Sequence, residues 1–112
     1  MDNSILTSIK KLLGITAECT DFDSDIIMHI NSVFMVLNQL GVGPSEGFRI
    51  EDESNEWSDF IDDTECLDAV KSYMHLKVKL LFDPPLNSSV MEATKQMINE
   101  LEWRLNVQAE SK

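Results

Sequence analysis

The chain has 112 residues, 43% of them apolar, with 20 acidic and 9 basic side chains and a net charge of −11. That length supports one domain with a modest core and leaves no room for two. The acidic balance excludes a free-standing nucleic-acid grip, which needs clustered cations to displace counterions, and disfavours docking on an anionic membrane surface.

Cys19 and Cys66 are too few for a disulfide framework and suit a reducing cytosol as two small buried hydrophobes. The opening residues Met1-Asp2-Asn3-Ser4 lack the basic stretch and long apolar run of a signal peptide. No apolar run approaches the roughly 20 residues that a membrane span needs.

The spacing predicts a first helix over residues 4–13, with Ile5, Leu6, Ile9, Leu12 and Leu13 at helical intervals, Asn3 or Ser4 as cap and Gly14 as stop. A second helix is predicted over 24–40, capped from among Asp21, Asp23 and Ser24. Ile26, Ile30, Val33, Phe34, Leu37 and Leu40 form its core stripe, and Met28 and Met35 fall on the opposite face. Unbranched methionine adapts to a docking helix, so this pair is a candidate partner surface.

Residues 41–65 change character. Gly41, Gly43, Pro44 and Gly47 punctuate the start, and Phe48-Arg49-Ile50 is short, alternating and compatible with a β-hairpin. This segment holds one cation and nine acids, a charge of −8, against −3 for residues 1–40 and 0 for residues 66–112. A charge run of this kind reads first as a solvated loop. Trp57, Phe60 and Ile61 are spaced to anchor a short helical turn onto the core. A hairpin that pairs with a neighbouring chain would instead make Phe48, Ile50 and Trp57 contact residues.

A third helix is predicted over 65–82 with Thr64 as cap. Leu67, Val70, Met74, Val78, Leu81 and Phe82 share one face and Ala69, Tyr73, Leu76 and Leu80 another, so this helix belongs at the centre. Asp83-Pro84-Pro85 ends it. A fourth is predicted over 90–107, opened by a Ser89-x-x-Glu92 capping box, with Val90, Thr94, Met97, Ile98, Leu101 and Leu105 as core and a frayed tail over 108–112. Trp103 and Val107 lie well away from that stripe, and tryptophan is enriched at interfaces. The expected architecture is therefore all-α: a single domain over 1–112, a small bundle of about four helices with an acidic insertion between the second and third.

No catalytic constellation converges. His29 and His75 belong to no zinc-binding or general-base pattern, and no glycine-rich phosphate loop exists. Asp21-Phe22-Asp23-Ser24-Asp25 begins like a calcium loop, but Ile26 occupies the position that needs glycine and Ser32 the position that needs a bidentate glutamate. Acids entering a helix N-terminus explain the run through the dipole. No enzyme activity, cofactor or metal is expected, and a binding or assembly module remains.

The arrangement resembles the head–tail connector proteins of tailed phages, also called head-completion or neck adaptor proteins. A short helix is followed by an amphipathic one ending in Gln39-Leu40-Gly41-Val42-Gly43-Pro44, then by an acidic insertion. The most telling stretch is the long helix from Val70 to Phe82, broken by Asp83-Pro84-Pro85, and the following helix with Glu100-Leu101-Glu102-Trp103-Arg104-Leu105. The likeness runs from Ile5 to about Val107.

It implies a homo-oligomeric ring, typically of twelve subunits, in the virion neck. The ring binds beneath the portal protein, extends the DNA channel without gripping DNA specifically, and presents a surface to a tail-side stopper. Synthesis would be in the host bacterial cytoplasm, away from any membrane. In such proteins the C-terminal helix commonly meets the portal. Met28, Met35, Phe48, Ile50, Trp57, Trp103 and Val107 are the candidate interface residues here. The competing reading is an acidic adaptor or DNA-mimicking inhibitor of a host enzyme. Its charge should be spread at phosphate-like spacing, whereas here it is bunched in one glycine-flanked segment.

Overall fold

A computed structural model describes residues 4–16, 18–61 and 64–110. It contains α1 (Ile5–Leu12), α2 (Asp23–Gln39), α3 (Trp57–Phe60), α4 (Thr64–Phe82) and α5 (Ser88–Glu110). The all-α expectation holds. Among the described residues there is no strand, only an isolated antiparallel bridge between Ser4 and Glu56.

α4 is the central element, packing against α1, α2 and α5. Its Val70, Tyr73, Met74 and Val78 are buried against Ile26, Ile30, Val33, Phe34 and Leu37 of α2 and Ile5, Leu6 and Ile9 of α1. Leu81 is exposed, although Leu80 and Phe82 on either side pack against the core, Phe82 edge-on to Phe22 with centroids 5.5 Å apart. Cys66 is buried and Cys19 is half-buried, and neither forms a disulfide among the described residues.

The caps differ in part from the sequence reading. Ser4 caps α1 as expected, its hydroxyl accepting from the Thr7 amide at 3.2 Å. Phe22 occupies the N-cap of α2 and supplies no side-chain bond. Asp23, expected as a cap, turns instead to Lys10, whose Nζ lies 2.8 Å from Asp23 Oδ1 and donates to the Cys19 carbonyl at 2.6 Å. The contact with Asp23 is Coulombic rather than an aligned hydrogen bond. Asn87, not Ser89, caps α5: its Oδ1 accepts from the Ser89 and Val90 amides at 2.8 and 3.3 Å. The helix thus starts before the Ser89–Glu92 box and continues through Gln108 to Glu110. Thr64 is the first residue of α4, and the cap expected there lies outside the described residues.

The acidic insertion is not a free loop at its ends. Asn31 on α2 presents Oδ1 to the Ile50 amide at 2.8 Å and Nδ2 to the Ile50 carbonyl at 3.0 Å, so one side-chain amide does for Ile50 what a neighbouring strand would. The Ile5 amide donates to the Asn55 carbonyl at 3.0 Å. The Trp57 indole donates to Ser8 Oγ at 2.8 Å. Glu56 and Asp59 close a reciprocal capping box around α3. Ile50, Trp57 and Phe60 join the core, where Phe34, Phe48 and Phe60 form an aromatic cluster with centroids 4.7 to 5.4 Å apart.

Candidate protein-interaction surfaces

Burial divides the predicted contact residues into two groups. Ile50 and Trp57 are fully buried, and Phe48 is half-buried against Phe34 and Phe60. Ile50 and Trp57 turn inward and fasten the insertion to the protein's own core, whereas Phe48 keeps an edge on the groove beside Met28 and Met35. Burying aromatic area contributes on the order of a few kcal/mol, which outweighs the acidity of the surrounding segment.

Met28, Met35, Trp103 and Val107 do face outward. Met28 and Met35 are 58% and 61% exposed, seven residues apart on the side of α2 turned away from its core stripe. They border an open groove of about 550 Å³ that continues to Phe48 and Arg49. Trp103 is 66% exposed and Val107 shares its side of α5, about 40° away at 100° per residue.

The fourth predicted core stripe is only half correct. Ile98 and Leu105 are buried and Leu101 is half-buried, whereas Val90 and Met97 are 50% and 53% exposed. Among the helices α5 packs chiefly along α4, and its last turns meet the loop at Leu40–Gly41, so its N-terminal half is covered on a narrow strip only. The seam between the two helices on that side is a groove of about 530 Å³. It is lined by Ser72, His75 and Leu76 of α4 and by Met97, Leu101 and Arg104 of α5. Arg104 holds Glu100 at 2.8 Å along its rim. Burial lowers the His75 pKa, with Lys79 adding to the fall and a hydrogen bond with the Leu12 backbone opposing it, so the imidazole is neutral at pH 7.

On the opposite side of that seam, Tyr73 donates to Glu102 at 2.6 Å, and Lys77 lies 3.9 Å from the same carboxylate. Desolvation, with Glu102 beside it, pushes the Tyr73 phenol well above its ordinary range. Among the described residues no group of three or more His, Cys, Asp or Glu side chains gathers in metal-binding fashion. The chemistry on offer is apolar docking framed by charge.

A family model described as phage connector protein matches residues 5–112. The chain belongs to the phage connector protein family. Comparison with curated proteins and with solved structures yields no match. The family is a structural one, and membership gives the chain a general role in joining phage head to tail in the virion neck, alongside portal and tail proteins. In this connector no described helix is long and apolar enough to cross a membrane. Met28, Met35, Trp103 and Val107, all left off the core stripes, are exposed apolar side chains. Leu86, exposed at the Pro84-Pro85 corner, was not singled out by sequence, and Val90, expected in the core, is exposed in the first turn of α5. The signal was present in Leu86, an apolar residue in a turn.

Proposed function

We propose that this connector is one subunit of a ring seated beneath the portal, of about the twelve subunits usual for such proteins, extending the DNA channel and offering the tail its attachment surface. The observation that carries the reading is α5: a helix of 23 residues with only Ile98 and Leu105 fully buried and with Trp103 standing outward. A helix so thinly covered is unusual in a free domain, since helical stability comes mostly from a packed apolar face. Trp103 and Val107 supply the portal contact. The acidic charge, concentrated in residues 41–65, suits a conduit that lets DNA pass, because it repels phosphate.

The test is co-purification with the cognate portal protein, followed by mass measurement of the complex. A closed ring on the portal is the expected result. A tight solution dimer with no portal affinity would overturn the reading.

A further inference from the structure

Two exposed stripes on different helices share one spacing. On α2, Met28, Ser32 and Met35 follow one another at intervals of four and three residues. On α5, read from its C-terminal end, Met97, Ala93 and Val90 follow at the same intervals. All six are exposed except for the half-covered stems of the larger side chains, and each stripe is large, small, large. The outer residues are about 10.5 Å apart along both axes. Laid antiparallel, Met28 meets Met97 and Met35 meets Val90. Ser32 and Ala93 fall level, where small side chains let the helix backbones approach.

The flanking positions extend the match. Asp25, in the first turn of α2, lies three residues before Met28, and Arg104 lies seven residues after Met97. Asp25 comes level with Glu100, whose charge Arg104 offsets from 2.8 Å. α2 carries no Lys or Arg, so the only cation at this end of the contact comes from α5.

We infer that α2 of one copy packs antiparallel against the exposed face of α5 of the next, with Met28 beside Met97 at the edge of the α4–α5 groove. The inference rests on the ring reading and names the contact that closes the ring. The two stripes are different surfaces: Met28 and Met35 border the groove that continues to Phe48 and Arg49, whereas Met97 borders the seam of α4 with α5. A contact between unlike surfaces is heterologous, the kind that repeats around a ring instead of ending in a dimer.

The test uses full-length Ser32→Cys and Ala93→Cys chains, both small changes at exposed positions, assembled on the portal protein and oxidised. A mixture of the two single variants should give a cross-linked pair, the double variant a ladder up to the closed ring, and neither single variant alone a pair. Pairs from a single variant alone would show a symmetric contact and overturn the inference. So would a ring that forms on the portal without cross-linking in the mixture, while leaving the ring reading intact. Portal binding without any ring would overturn that reading itself. In parallel, Met28→Glu and Met97→Glu should each lower ring yield about tenfold at unchanged melting temperature. Loss of portal binding by the isolated subunit would instead assign the stripes to the portal and overturn the inference.

Discussion

Lys10 and Asp23 face each other at 2.8 Å across the start of the α1–α2 connection, with the lysine only 3% exposed. The lysine also binds the Cys19 carbonyl, so one buried ammonium ties together α1, the connecting loop and the first turn of α2. Removing one partner strands the other charge in a poorly solvated place. Lys10→Met should destabilise by about 3 kcal/mol, the lower part of the range for a broken buried pair because Asp23 keeps some solvent contact. The double change Lys10→Met with Asp23→Leu should recover most of that loss. Urea denaturation of the three variants checks both statements.

The insertion should show two regimes of backbone protection. The Ile50 and Ile5 amides are held by Asn31 and Asn55, whereas Glu53 lies in an exposed turn. Hydrogen exchange should be slow at the first two and fast around Glu53. Trp57→Ala should cost about 3–5 kcal/mol through lost packing, and Ser8→Ala about 1 kcal/mol through the lost indole bond. Equal, rapid exchange from residue 48 to residue 57 would mean that the insertion is not fastened.

His75 supplies an acid-side pH dependence. Its pKa in the fold is lowered by burial and by Lys79, so the folded protein favours the neutral imidazole. The stabilising effect is present above the unfolded value near 6.5 and is lost as pH falls below it, because unfolding then takes up a proton. Melting temperatures measured from pH 7.5 down to 5 should fall less steeply for His75→Gln than for the parent chain.

Trp103→Ala and Leu105→Ala separate surface from core on one helix. Leu105 is buried, so its truncation should cost about 2–5 kcal/mol and threaten a domain of this size. Trp103 is mostly exposed, so its truncation should leave melting nearly unchanged and weaken portal binding by about 2 kcal/mol or more. Melting and portal pull-down of both variants read the contrast. If Trp103→Ala melts the free chain as badly as Leu105→Ala does, the portal contact must be sought elsewhere.

The second and third predicted helices were readable because each buries a continuous stripe against more than one neighbour, so periodicity and burial coincide. Ile26 through Leu37 show this directly. The last helix was readable in extent but not in burial: its stripe has the right period, yet only Ile98 and Leu105 are fully buried. Periodicity reports that a face will be covered, not whether the cover comes from the same chain. Trp57 was visible as an anchor, but its partner Ser8 lies 49 positions away, and no local pattern encodes that pairing. The α5 cap was missed because Asn87, Ser88 and Ser89 are all capable residues, and only the path of the chain out of Pro84-Pro85 selects the first. Of the candidate contacts, Met28, Met35, Trp103 and Val107 stood out as apolar residues off a stripe. Of the two roles open to Trp57, the core anchor is the one its burial fits, and Ile50 is buried too, its acidic neighbours concealing how far it reaches inward.

The insertion's tip is held only by short-range bonds: the Glu51 and Asp52 amides to Asn55 Oδ1, and the Ser54 amide to Asp52. Its ends are fastened to α1 and α2. A cut at Glu53 would therefore leave one piece carrying α1 and α2 and another carrying α3, α4 and α5, each presenting its half of a shared core. The core is in this sense assembled from two stretches of chain that meet in sequence only through an exposed turn. That makes the turn at Glu53 the place to graft an epitope or a split reporter without touching either the methionine stripe of α2 or the outward faces of α5.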